Sequence, residues 1–213
     1  MKNLMLRVSL VALVGLVSFS SDCVVAQQPK YLPRPYENSD AYAVYSAVLS
    51  MGGQWDDSKF LVILKELPPK EWPIGSPHHA LHGDEEFRGN FEGIFKSFEQ
   101  ANRQSLLLEN HFAIHKPYQV VESAELEAAF HRPQPGAFHD GWEGFRGSYP
   151  NSTGYLILSA VGFNSEKTVA IVFVDYRCGG LCGSAQYYIL QKRDKDWISY
   201  SPKGLQSETR GNT

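Results

Sequence analysis

Tyr155–Phe163 (YLILSAVGF), Thr168–Tyr176 (TVAIVFVDY), Ala185–Gln191 (AQYYILQ) and Trp197–Tyr200 (WISY) decide the fold class. Each run is short and rich in β-branched and aromatic residues, the side chains that suit a pleated, half-buried surface. They are separated by NSEK, by the Gly- and Cys-rich loop Arg177–Gly183, and by RDKD. Connections this short favour antiparallel hairpins over parallel crossovers, so the C-terminal third reads as a four-stranded antiparallel meander. The second run is apolar at consecutive positions, as a central strand with helices against at least one side requires.

Upstream of the meander the periodicity becomes helical. Ala41, Tyr42, Tyr45, Val48 and Leu49 share one helical face, with Ser39 as the predicted cap and Gly52-Gly53 as the stop. Phe60–Leu64 (FLVIL) is a short apolar run that reads as a strand. Pro68, Pro69, Pro73 and Pro77 interrupt regular structure after it. A second helix is predicted from about Asp84, with Phe87, Phe91, Ile94, Phe95, Phe98 and Ala101 on its core face and Gly89 and Gly93 inside it. Tyr118–Val121 reads as a short strand. Ser123 then caps a brief helix to Phe130. The expectation is an α+β domain over residues 39–202, N-terminal helices packed on the C-terminal meander. A Pro-rich lead-in, 27–38, precedes it and a polar tail, 203–213, follows.

The first segment reads as an address. Lys2 and Arg7 flank the start, Leu10–Phe19 is an apolar run of signal-core length, and Val24-Val25-Ala26 offers a small-residue cut before Gln27. An uncleaved anchor is disfavoured because the apolar stretch falls short of the roughly 20 residues a bilayer demands. A lipoprotein reading through Cys23 is disfavoured by Asp22. Residues 1–26 are thus expected to be a signal peptide, giving an exported protein, periplasmic or secreted, with no membrane span after cleavage. The chain of 213 residues carries 20 Lys+Arg against 23 Asp+Glu, a net charge of −3. Lys2, Arg7 and Asp22 together contribute +1, so the mature charge is −4. With a pI near 6.2 and no basic block, nucleic acid is not an expected partner. With 43% hydrophobic residues the chain is too apolar to be disordered.

After cleavage two cysteines remain, Cys178 and Cys182, in Arg177-Cys178-Gly179-Gly180-Leu181-Cys182-Gly183. Three intervening residues let the sulfurs meet if the loop curls back, and an exported protein favours the bridge. A structural disulfide is the preferred reading. A redox dithiol, half of a metal shell and two inert thiols are the alternatives.

The segment from Asp140-Gly141-Trp142 through Tyr149-Pro150 and Val161-Gly162-Phe163-Asn164 to Cys178-Gly-Gly-Leu-Cys182-Gly183 and Tyr188–Trp197 resembles a family of exported bacterial proteins without an assigned activity. The resemblance covers roughly the last 65 residues and rests on the CGGLCG and VGFN elements. It implies a bacterial, exported protein, in which the acceptor triplet Asn151-Ser152-Thr153 stays unmodified. It implies no catalytic residue.

Three candidate sites emerge. Asp140, Trp142 and Arg146 lie in a Gly-rich segment ahead of the sheet, and Asp175, Arg177, Gly179 and Gly180 sit at the Cys loop. Together they form a candidate binding surface for a small molecule, a peptide or a glycan. His78, His79, His82 and Asp84, within the His78–Glu86 stretch, could hold a metal in a hydrolase, although Pro77 and Gly83 argue for a solvated loop. Cys178 and Cys182 could serve a thiol oxidoreductase. His111, His115, His131 and His139 are scattered through loops, and no nucleophile elbow, P-loop or dinucleotide fingerprint is present. The preferred expectation is an exported binding protein without catalysis, with no cofactor.

Overall fold

Val169–Arg177 (β8) is apolar on both sides because both sides are covered. The structure, a computed structural model, describes residues 33–67, 85–133 and 141–200. The signal segment, the histidine-rich stretch, Asp140 and the tail 203–213 lie outside them. Ala170, Val172 and Val174 of β8 pack under the first helix, α1 (Ser39–Met51), through Val44, Tyr45 and Val48. Ile171 and Phe173 point the other way, under Phe91, Ile94, Phe95 and Phe98 of α2 (Glu85–Ala101). The predicted aromatic stripe of α2 is therefore core at each of these four positions; the side chain of Phe87 is not among those described. Gly93 sits within α2 over open space, so it costs helix propensity and no packing.

The four C-terminal runs do pair antiparallel, in the order β6 (Tyr155–Leu158), β8, β9 (Gly183–Arg193) and β10 (Asp196–Ser199). A four-stranded meander is nevertheless the wrong sheet. β2 (Leu61–Leu64) pairs parallel with β6, and β5 (Tyr118–Val121) pairs parallel with β2. The result is a mixed seven-stranded sheet ordered β10-β9-β8-β6-β2-β5, with β7 (Gly162–Phe163) on the side of β8. A second sheet of three short strands sets β1 (Arg34–Pro35) parallel to β4 (Leu106–Leu107), which pairs antiparallel with β3 (Glu66–Leu67). The class is mixed α/β with four helices among the described residues, not helices followed by a meander. Hairpin length reveals neighbours along the chain. It says nothing of strands brought together by distant crossovers.

The remaining helices, α3 (Ser123–Phe130) and α4 (Trp142–Ser148), cover the sheet beside α2. Leu126, Ala129, Phe145 and Tyr149 bury against Val62, Tyr155 and Ile157. α4 lies in the Gly-rich segment ahead of the sheet, and Trp142 and Phe145 pin it there. The caps also differ from expectation. Asn38, not Ser39, caps α1 by accepting from the Ala41 N–H at 3.2 Å. Ser123 is the first residue of α3, and its backbone N–H donates to both Glu66 carboxylate oxygens at 3.0 Å. No helix among the described residues is long and apolar enough to cross a membrane.

The run Tyr155–Phe163 is not one strand. Ser159–Val161 oppose only Val172 and Phe173, so a bulge separates β6 from β7. Its buried backbone groups are satisfied from elsewhere. The Asn102 amide accepts from Ala160 N–H at 2.8 Å and donates to Ala160 C=O at 3.0 Å and Phe98 C=O at 2.8 Å. The Tyr45 hydroxyl donates to Ser159 C=O, and the Tyr36 hydroxyl accepts from Val161 N–H. Gly162 lets α2 approach: a Cβ there would lie 2.6 Å from the backbone of Phe98. Asn164 then closes the turn to β8 by accepting from the N–H groups of Thr168 and Val169. Within VGFN, Gly162 admits α2 and Asn164 shapes the turn into β8.

Candidate binding surface

The Cys loop closes the β8–β9 hairpin. Cys178 and Cys182 are bonded, with Cα atoms 5.1 Å apart. Cys178 N–H donates to Cys182 C=O at 3.2 Å. Leu181 stands at the tip with its side chain wholly in solvent. The bridge sits in a hairpin between antiparallel strands, not at the strand–helix junction of a βαβ redox motif. The chain-entropy estimate for so small a ring is ~2 kcal/mol. Replacing both cysteines by serine is expected to lower the melting temperature by about 4–8 °C, read by calorimetry, without changing the far-UV spectrum.

The sheet brings several predicted residues together. Cross-strand pairing sets Tyr155 opposite Arg177 and Ile157 opposite Asp175. Arg177 Nε and Nη2 both donate to Asp175 Oδ2 at 2.9 Å. Burial works against the guanidinium charge, and the Asp175 carboxylate together with Tyr155 more than restores it, so the Arg177 pKa rises above its ordinary value. The Trp142 ring stacks on Tyr155 at 5.9 Å and meets Phe130 edge-on at 4.9 Å. Trp142, Asp175 and Arg177 are thus joined through Tyr155, a residue that sequence reasoning did not select. Gly179 and Gly180 follow directly in the turn. Arg146 is exposed on α4 and outside this chain of contacts.

His78, His79, His82, Asp84 and Asp140 lie outside the described residues, as does His139. Among the described residues no three His, Cys, Asp or Glu side chains converge as a metal site. His111 pairs with Glu109 at 3.1 Å and lies against the Tyr42 ring at 5.2 Å. His131 Nδ1 is 2.9 Å from Glu127 C=O.

A concave surface lies on the far side of the sheet. The outer side of α1 forms the floor of an open groove of 1120 Å³, where Ser39, Ala43, Ser50 and Met51 present small or flexible side chains. One wall is the segment carrying Glu109 and His111, and the other is the turn Lys195–Asp196 with β10. Tyr42 anchors the first wall, its hydroxyl accepting from Glu109 N–H at 2.8 Å. Burial raises the Tyr42 pKa, so this phenol stays neutral. The rim carries three carboxylates, Glu37, Glu109 and Asp196, against one ammonium, Lys195. That Ala43, Ala47 and Ser50 lie away from the apolar face of the predicted helix was implicit in its periodicity. That they floor a groove was not, because its walls come from residues about 65 and 150 positions away.

Compared with known proteins, the chain matches no family model, no curated protein and no solved structure.

Proposed function

We propose that the chain is an exported domain that acts by binding, and that the α1 groove receives a basic peptide segment. The groove carries the reading: it is large enough for several side chains, floored by small residues, and rimmed by an excess of negative charge. Its charged side chains, Glu37, Glu109, Lys195 and Asp196, stand at the exposed rim, an arrangement for recognising charge. Export is supported by the signal-like first segment, by the disulfide, and by the resemblance carried in CGGLCG and VGFN.

A fluorescently labelled peptide of alternating alanine and lysine is the probe. Its anisotropy should rise on titration with the protein, and the affinity should fall as salt is raised. An alanine–glutamate peptide should not bind. Ala43 is exposed on the groove floor, so Ala43→Trp fills the groove without touching the core. It is expected to weaken binding at least tenfold. Equal binding by this variant, or by the acidic peptide, would overturn the reading.

A further inference from the structure

We propose that Cys178–Cys182 is an exchangeable disulfide, a modification site that small thiols open by attacking Cys182 while the rest of the fold stands. The two cysteines differ in their surroundings. Cys182 is exposed, and so are its neighbours Leu181 and Gly183. Cys178 is only partly exposed and packs against the main core cluster. Exchange needs a thiolate to reach one sulfur of the bridge, so access selects Cys182 as the attacked residue and Cys178 as the leaving one. Position 179 keeps the approach clear, since a Cβ on Gly179 would lie 3.3 Å from Cys182 Cβ. Exposed bridges are the labile ones, in contrast to structural bridges sealed in a core.

The fold does not depend on the closed ring. The β8–β9 ladder runs from Val169 opposite Gln191 to Arg177 opposite Gly183, and the bridge lies beyond that last pair. Opening it costs no ladder pair. The hydrogen bonds within the ring, Cys178 N–H to Cys182 C=O and Cys182 N–H to Gly179 C=O, join backbone groups and do not require bonded sulfurs. The neighbouring cation is committed elsewhere, because Arg177 directs Nε and Nη2 to Asp175. It does not activate the leaving sulfur, so the exchange is a modification at the pace of small thiols, not an enzyme's turnover.

In the first step a thiolate RS⁻ attacks Cys182 Sγ. The bond between the two Sγ atoms breaks, and Cys178 leaves as a thiolate that takes a proton from water. The product is a mixed disulfide, RS–S on Cys182, beside a free Cys178 thiol. A second RS⁻ attacks the R-bearing sulfur, releases Cys182 as a thiolate and carries away RSSR. Two small thiols are thus oxidised to one disulfide as the two cysteines are reduced. Attack by Cys178 on the mixed disulfide restores the bridge, which makes the site reversible.

Reduced glutathione is the probe. The full chain is incubated with it under native conditions, quenched with iodoacetamide and mapped by peptide mass. The first product should carry glutathione on Cys182 and the alkyl group on Cys178, at a rate proportional to thiol concentration. Asn102→Ala distinguishes local opening from global unfolding, because it weakens the fold at the bulge and leaves the loop untouched. Its exchange rate should match wild type within about twofold. Should that variant fold poorly, urea well below the wild-type midpoint serves instead, and the rate should stay flat. A rate that climbs more than about tenfold in either case would overturn the proposal. So would glutathione on Cys178, a bridge still closed after overnight exposure to excess glutathione, or loss of the far-UV spectrum on reduction. Glutathione exchange is read at the Cys loop alone, so peptide binding in the α1 groove stands or falls separately.

Discussion

Asn102→Ala is expected to remove about 2–3 kcal/mol of stability, seen as a lower urea midpoint with an unchanged slope. The amide is buried beyond the end of α2, where it holds both backbone groups of Ala160 and the carbonyl of Phe98. Phe98 C=O keeps a second donor, the backbone N–H of Asn102 at 3.0 Å. Ala160 C=O likewise keeps the Ser159 hydroxyl at 3.0 Å, whereas Ala160 N–H relies on the Asn102 amide in the bulge. The variant therefore leaves one buried donor unmade, costing about 1–3 kcal/mol, besides a small cavity. Against a typical stability of 5–15 kcal/mol this is a large fraction. Asn102→Asp separates hydrogen bonding from volume. A buried ionised carboxylate can accept from Ala160 N–H but would face the Ala160 and Phe98 carbonyls. Its loss should therefore equal or exceed that of alanine at neutral pH and shrink on acidification, when the protonated acid can donate again. Equal losses for Ala and Asp at low pH would reject the hydrogen-bond account.

Gly154→Ala is expected to cost about 3 kcal/mol for the opposite reason, too many atoms instead of too few. A Cβ at Gly154 would overlap the carbonyl oxygen of Arg177 and lie 2.9 Å from Cys178 Cα. The obstacle is backbone, so no rotamer relieves it. That backbone is held by the Tyr155–Arg177 pairing and, one residue on, by the disulfide. Gly180→Ala is the control, because a Cβ there meets open space within 4 Å. It should change stability by no more than about 0.5 kcal/mol. Comparable losses at both glycines would show that backbone entropy, not the close approach, sets the cost.

These sites show which parts of the fold the sequence could disclose. Local signals were read correctly: the antiparallel order of the C-terminal runs, the core face of α2 at Phe91, Ile94, Phe95 and Phe98, the glycine stop after α1, and the turn in which Cys178 meets Cys182. What escaped was long-range. FLVIL carries no mark that says it runs parallel beside Tyr155–Leu158, nor YQVV that it pairs parallel with FLVIL, since a crossover through helices leaves no turn chemistry at the strands. The bulge was hidden because Ser159-Ala160-Val161 looks strand-like. Its need for Asn102 appears only once α2 is laid across β7. The candidate surface divided likewise. Asp175 and Arg177 were selected as neighbours and form an ion pair. Tyr155, which links them to Trp142, looked like any core aromatic. The α1 groove depended on two walls distant in the chain.

The position of β2 has a consequence for how the chain is made. β2 is flanked on one edge by β5 and on the other by β6, and both strands leave the ribosome after it. Until residues beyond Leu158 have emerged, Leu61–Leu64 is an apolar strand with at least one edge unfilled, the state most open to wrong pairing. A chain translocated unfolded and released as a whole avoids that interval, since both neighbours of β2 arrive together. Vectorial synthesis in an aqueous compartment prolongs it. In this architecture the route of delivery and the order of strands belong to the same folding problem.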